Sequence, residues 1–263
     1  MVPTSPVTYT QALAKGGALL PETRVLLAAW QPGEGEEALA DRVLRSDLLG
    51  RATARRVLDI VRVFALRFLS LGEGPARHLK RLVAGGSPHQ IYSDLVFHYA
   101  AQRDALLHDF TVSRFWPAVR DGRLVVANGD VRQLILEAEQ DGRIPSPWSA
   151  EIKRDMAGRV LMALTDFGLL RELKPGKREV LPYRAADGTV VYLAHLLHEQ
   201  GVTDASLAVH PAWALFGLEP ADVWHRLDLL AGEGWFVVQR AGQVARITWR
   251  YAGLEEAVDA LAR

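Results

Sequence analysis

A chain of 263 residues is long enough for about two domains, each with its own core, and its 49% hydrophobic and 24% charged residues are those of an ordinary globular protein. Lysine plus arginine equals aspartate plus glutamate at 31 each, which excludes a generic polyanion binder, so any nucleic-acid contact must come from uneven placement of charge. The absence of cysteine excludes disulfides, thiolate nucleophiles and cysteine-ligated metal centres.

Residues 1–10 read as a loose lead-in, with no basic region followed by an apolar core of the kind a signal peptide needs. From Tyr9 to Trp30 the pattern is helical, with Pro21 in the first turn and Val25, Leu26 and Ala29 facing inward, and Gln31-Pro32-Gly33 ends it. A helix over about 34–45, ending in Arg45, a break at 46–51 and a longer helix over 53–69 follow. In the longer helix Val57, Ile60, Val61, Phe64 and Phe68 recur at the spacing of one face. At 100° per residue Arg51, Arg55 and Arg62 fall opposite that face, with Arg56 and Arg67 in a stripe beside them. Two helices, a turn and an arginine-studded surface outline a helix-turn-helix. Between Arg42 and Arg81 ten basic residues stand against Asp47, Asp59 and Glu73 alone. A further basic helix, 76–83, carries Arg77, His78, Lys80 and Arg81. Gly85-Gly86-Ser87-Pro88 then marks a boundary, dividing the chain into an N-terminal domain 1–85 and a C-terminal domain 86–263.

The second part is expected to open with a helix over 89–107, followed by a connecting region, 111–122. Residues 130–140 form a helix with Val131, Leu134, Ile135 and Ala138 as its buried stripe. Residues 148–167 form a longer one with Ile152, Met156, Val160, Leu161 and Leu164 inward and Gly168 at its C-terminus. Residues 169–173 and 179–183 bracket a basic tip carrying Lys174, Lys177 and Arg178, a hairpin placed directly after a helix, which is how a winged helix reads in sequence. Residues 189–192 form an edge strand or lead into a helix at 193–199. The order recurs with a helix over 220–230, β-rich runs at 235–240 and 244–250 around a short turn, and a last helix over 254–261. The fold class is therefore mainly α with small antiparallel β-hairpins: a helix-turn-helix-like N-terminal bundle and a winged-helix-like C-terminal part.

Catalytic chemistry finds little support. Only His195 and His198 share a helix-face spacing suited to a metal, and no third ligand is evident, which favours a structural role for both. Asp166-Phe167-Gly168 matches a kinase tripeptide without its companion motifs, and there is no nucleophile elbow or phosphate-cradling loop. No enzyme activity, metal or cofactor is expected. The most apolar stretch, 57–71, is interrupted by Asp59, Arg62 and Arg67, so a membrane span is not expected and a cytoplasmic location is. Arg45, Arg51, Arg55, Arg56, Arg62, Lys80 and Arg81 in the first domain, and Lys174, Lys177 and Arg178 at the hairpin, are the candidate contacts to nucleic-acid phosphates. The alternative for each is a solvated helix face or a soluble turn.

Blocks in order along the chain resemble the BrxA family of bacterial BREX phage-exclusion systems: Lys15-Gly16-Gly17-Ala18-Leu19-Leu20-Pro21-Glu22-Thr23-Arg24; Trp148-Ser149; Ala163-Leu164-Thr165-Asp166-Phe167-Gly168-Leu169-Leu170; Leu215-Phe216-Gly217-Leu218; Val237-Val238-Gln239-Arg240-Ala241-Gly242; and Ile247-Thr248-Trp249-Arg250-Tyr251 with Glu255-Glu256. Arg240 stands where the family pattern has a small residue. The resemblance implies a mainly helical accessory protein that binds double-stranded DNA without a cofactor or active site, alongside a methyltransferase, an ATPase and other BREX components. A scaffold that binds only proteins is the alternative, with the C-terminal hairpin edge as its docking element.

Overall fold

The computed structural model describes residues 8–50, 52–242 and 244–263. Fourteen α-helices are set out along these residues, with two small antiparallel sheets. The helices are α1 (Leu13–Gly16), α2 (Leu20–Ala29), α3 (Glu36–Arg45), α4 (Ala54–Phe68), α5 (Gly74–Ala84), α6 (His89–Arg103), α7 (Ala105–Phe110), α8 (Trp116–Arg120), α9 (Asn128–Gln140), α10 (Ala150–Asp166), α11 (Asp187–Glu199), α12 (Asp204–Leu207), α13 (Pro220–Gly232) and α14 (Leu254–Leu261). The strands are β1 (Val125–Ala127), β2 (Leu170–Lys174), β3 (Lys177–Val180), β4 (Phe236–Ala241) and β5 (Val244–Trp249).

The chain divides into two compact units, neither continuous in sequence. One comprises Met1–Glu73 and Val96–Tyr183, the other Gly74–Leu95 and Arg184–Arg263. The cut expected at residue 85 falls inside the second unit instead. Its physical reason lies in α5 and α14: Arg81 reaches Glu255 and Asp259 of α14, and a Cβ at Gly85 would stand 2.0 Å from the carbonyl oxygen of Ala262. The glycine-rich stretch there is a close contact, not a linker.

In the first unit the single helix expected over 9–30 is two, because Gly17 and Leu19 take positive φ angles of 51° and 52°. α3 and α4 lie where expected. Thr53 caps α4 by accepting from the Arg56 amide at 3.2 Å, and Val57, Ile60, Val61, Phe64 and Phe68 are all buried. Asp104 breaks the long helix expected over 89–107 by capping α7, its Oδ1 accepting from the Leu107 amide at 2.9 Å. The region expected as a connection, 111–122, is helical, a π-turn at Thr111–Phe115 running into α8, and buries Phe115 and Trp116.

The three-stranded sheet has the order β1-β3-β2, all antiparallel. β1 was not foreseen from sequence; its three residues pair Val125 with Glu179, Val126 with Arg178 and Ala127 with Lys177. Between β1 and the β2–β3 hairpin run α9 and α10. Glu139 sets the corner between them by accepting from the Trp148 amide at 2.7 Å and from Lys153 Nζ at 2.6 Å, and the Lys153 bond holds its carboxyl below the usual range. Ser149 caps α10 through the Ile152 amide.

In the second unit α11 starts at Asp187, so 189–192 is helix and not an edge strand, and Thr189, Val190, Val191 and Tyr192 are buried. Arg226 of α13 donates to Asp187 Oδ1 at 2.6 Å and to the Ala185 carbonyl at 2.8 Å, fixing the start of α11. The β4–β5 hairpin follows α13 in full register, Phe236 opposite Trp249 and Ala241 opposite Val244. No helix among the described residues is long and apolar enough to cross a membrane.

Candidate nucleic-acid interface

The basic residues singled out from sequence divide between the two units and meet different fates. Arg51 lies outside the described residues. Arg45, exposed on the last turn of α3, pairs with Asp41 at 3.0 Å. Arg55 is exposed at the start of α4 and its Nε is 3.7 Å from Asp59, whose other oxygen is 3.9 Å from Lys15 Nζ. Arg56 donates to the Lys15 carbonyl oxygen at 2.6 Å, tying α4 to α1. Arg62 is exposed on α4 and makes no ion pair among the described residues. Arg67, assigned from sequence to the basic stripe, is only 6% exposed and donates to the Gly17 and Ala18 carbonyls. In the second unit Lys80 is half-buried on α5, and Arg81 is engaged by two acids of α14. The helix-turn-helix outline is therefore present as helices, but much of its charge is locally committed.

The hairpin of the first unit differs. Lys174 and Lys177 are exposed at its tip, where Pro175 and Gly176 make the turn and Gly176 takes the positive φ of 76° that such a turn demands. The Gly176 carbonyl accepts from the Asn128 amide at 3.0 Å, so the tip is pinned to the start of α9. Arg178, expected at the tip, sits in the central strand instead. Val126 and Glu172 flank it across the ladder, its Nη1 is 3.1 Å from Glu172 Oε1, and it is only 8% exposed. Strand alternation turns its side chain away from the face of Lys177.

Between this hairpin and α10 lies a groove of about 510 Å³, lined by Asn128, one face of α10 and the hairpin residues Gly176 and Arg178. The α10 face is formed by Glu151, Arg154, Asp155, Gly158, Arg159 and Met162. Arg159 Nε is 3.3 Å from Asp155 Oδ1. Arg178 Nε is buried with no hydrogen-bond partner among the described residues. Reasoning from sequence missed Arg154 and Arg159 because α10 was read for its inward stripe alone. The signal was there in the complementary spacing, 151, 154–155, 158 and 162.

His195 and His198 are both held by packing contacts. His195 is buried and its Nδ1 lies 2.8 Å from the Val191 carbonyl oxygen, while His198 stacks on Trp249 with ring centroids 4.4 Å apart. Burial pushes the His195 imidazole below its ordinary value.

These elements define a mainly helical protein with two small antiparallel sheets, one of which brackets a pair of helices. An uncharacterized protein from Magnetospirillum magneticum has a similar fold in its crystal structure, with a TM-score of 0.59 and 20% identity over 73% of this chain and 94% of its own. Comparison with curated proteins finds no match. The BrxA family model matches residues 7–195, and the chain belongs to the BrxA family, which places it in a BREX phage-defence system.

Proposed function

We propose that this chain is a non-enzymatic double-stranded-DNA-binding component of its BREX system, and that the module from β1 to β3 makes the contact. One observation carries the reading. Strand, two helices and hairpin, closed into a sheet of order β1-β3-β2, is the arrangement of a winged helix-turn-helix, whose second helix enters the major groove while the hairpin touches the backbone. Here the second helix is α10, with Arg154 and Arg159 on the open side, and the hairpin carries Lys174 and Lys177. The methyltransferase and ATPase of the system are its expected neighbours. Band-shift titration of duplex DNA at several salt concentrations tests it, since phosphate contacts release counterions and affinity must fall as salt rises. No shift even at low salt overturns the proposal.

A protein-binding scaffold is the second reading. The outer face of the β4–β5 hairpin favours it, with Val237 56% and Val244 71% exposed. Co-purification with other BREX components that survives nuclease and high salt supports this reading; loss under either treatment removes it.

A further inference from the structure

Gly158 occupies the middle of α10, a helix of 17 residues, on the face that lines the groove. Glycine in a helix interior is destabilising relative to alanine, so its use there calls for a physical reason. Packing supplies one elsewhere in the chain: at Gly188 an added Cβ would stand 2.4 Å from Ile91 Cδ1. At Gly158 it would meet nothing within 4 Å, and the backbone there is ordinary right-handed helix. Neither a neighbour nor a positive φ requires glycine. Close approach by a molecule outside the chain remains.

The surroundings say what kind. Glu151, Arg154, Asp155, Arg159 and Met162 lie within two turns of Gly158 on the same face, two cations against two anions. Such a face is poorly suited to phosphate, which the carboxylates repel. It is suited to base edges in a major groove, where arginine pairs with guanine O6 and N7, a carboxylate accepts from the cytosine amino group, and an apolar group meets the thymine methyl. Arg178, more than nine-tenths buried, closes the hairpin side of the groove with its Nη1 3.1 Å from Glu172 Oε1 and its Nε buried without a partner among the described residues, so the wall facing α10 is a fixed, positively charged one.

We infer that the α10 face centred on Gly158 reads base edges of duplex DNA, making the protein sequence-selective, with Gly158 as the point of closest approach. This rests on the duplex-binding function proposed above. The exposed hairpin lysines supply the part of the affinity that ignores sequence.

Selection of the full-length chain on a randomised duplex pool, followed by band shifts and thermal unfolding of Gly158→Ala and Gly158→Leu, tests it. The expected result is an enriched site bound at least about tenfold tighter than a scrambled one, the size a single good base contact confers. Gly158→Ala raises the unfolding temperature, and Gly158→Leu loses at least about tenfold in affinity for the enriched site while unfolding no earlier than the wild type. Duplex binding without enrichment overturns sequence selectivity and leaves the duplex-binding reading standing; absence of any duplex binding removes both. Unchanged affinity of Gly158→Leu overturns the role of Gly158. Equal competition by duplex RNA overturns major-groove reading, because the A-form major groove is too narrow for a helix.

Discussion

Arg67 Nη2 donates to the carbonyl oxygen of Gly17 at 2.6 Å while Nη1 donates to that of Ala18 at 3.1 Å, so a charge buried on α4 holds the turn between α1 and α2. Burial lowers this guanidinium to about 10, and the Asp104 carboxylate opposes that fall. Arg67→Met is expected to cost about 3 kcal/mol, the penalty of leaving carbonyls unpaired and a buried carboxylate uncompensated. Adding Asp104→Asn should recover part of the loss. Urea unfolding measures both, and a cost below about 1 kcal/mol would show the guanidinium to be dispensable.

His78 is buried on α5 with Nδ1 2.9 Å from Tyr192 Oη and Nε2 3.1 Å from Glu255 Oε1. Burial pulls the imidazole below its ordinary 6.5 despite Glu255, and Arg81 adds to the fall while Glu199 opposes it. His195 is shifted the same way, first by burial. Both take up a proton less readily in the fold than in the unfolded chain, which binds protons below its ordinary 6.5, so the unfolded state binds more protons and stability rises with pH in that window. Stability is therefore full above about pH 6.5 and declines as the pH falls, with a slope of at most about 1.4 kcal/mol per pH unit for each histidine. Glu255, held below its usual carboxylate range, adds loss only at more acidic pH. Thermal unfolding from pH 8 to pH 5 reads the decline, and His78→Gln should flatten it; an unchanged profile in the variant would assign the slope to other groups.

Arg55 and Arg56 are neighbours in sequence with different work to do. Arg56 reaches the Lys15 carbonyl, whereas Arg55 extends beside Asp59 at 3.7 Å with its side chain 83% exposed. Arg56→Ala should cost about 1 kcal/mol, the net worth of one hydrogen bond, and Arg55→Ala less than about 0.5 kcal/mol. Duplex affinity of the Arg55→Ala/Arg56→Ala pair should stay within about threefold of wild type, because the proposed contact is carried by α10 and the hairpin. A larger loss in the band shift would return the interface to the α4 terminus.

Amphipathic spacing made α3, α4, α9, α10, α13, α14 and both hairpins legible, because each buries one face against its own unit and the pattern of burial is written in the residues. What stayed hidden depends on partners distant in sequence. β1 is three residues long and exists because β3 is there to pair with it. The interleaving of the units follows from α5 meeting α14, more than 160 positions away along the chain. The candidate site was legible in part. Lys174 and Lys177 are exposed as the turn chemistry implied, but Arg67 and Arg178 looked like surface charge and are buried, since composition cannot tell a solvated arginine from one that satisfies carbonyls or a cross-strand carboxylate.

Lys174 and Lys177 stand opposite each other across the end of the β2–β3 ladder, where the register becomes irregular after Glu172. Like charges placed so closely disfavour the hairpin slightly, and a phosphate between them removes that cost. As point charges without a planar fork they suit backbone contact better than base recognition. Lys174→Gln/Lys177→Gln should therefore weaken binding by a similar factor on every duplex and leave any sequence preference intact. It should also reduce the slope of log affinity against log salt by about 2, one counterion-releasing contact for each lysine. Thermal stability should stay the same or rise, because the repulsion at the tip is gone. Titrations at four salt concentrations read the slope, and a slope equal to that of the wild type would place the phosphate contacts away from the hairpin.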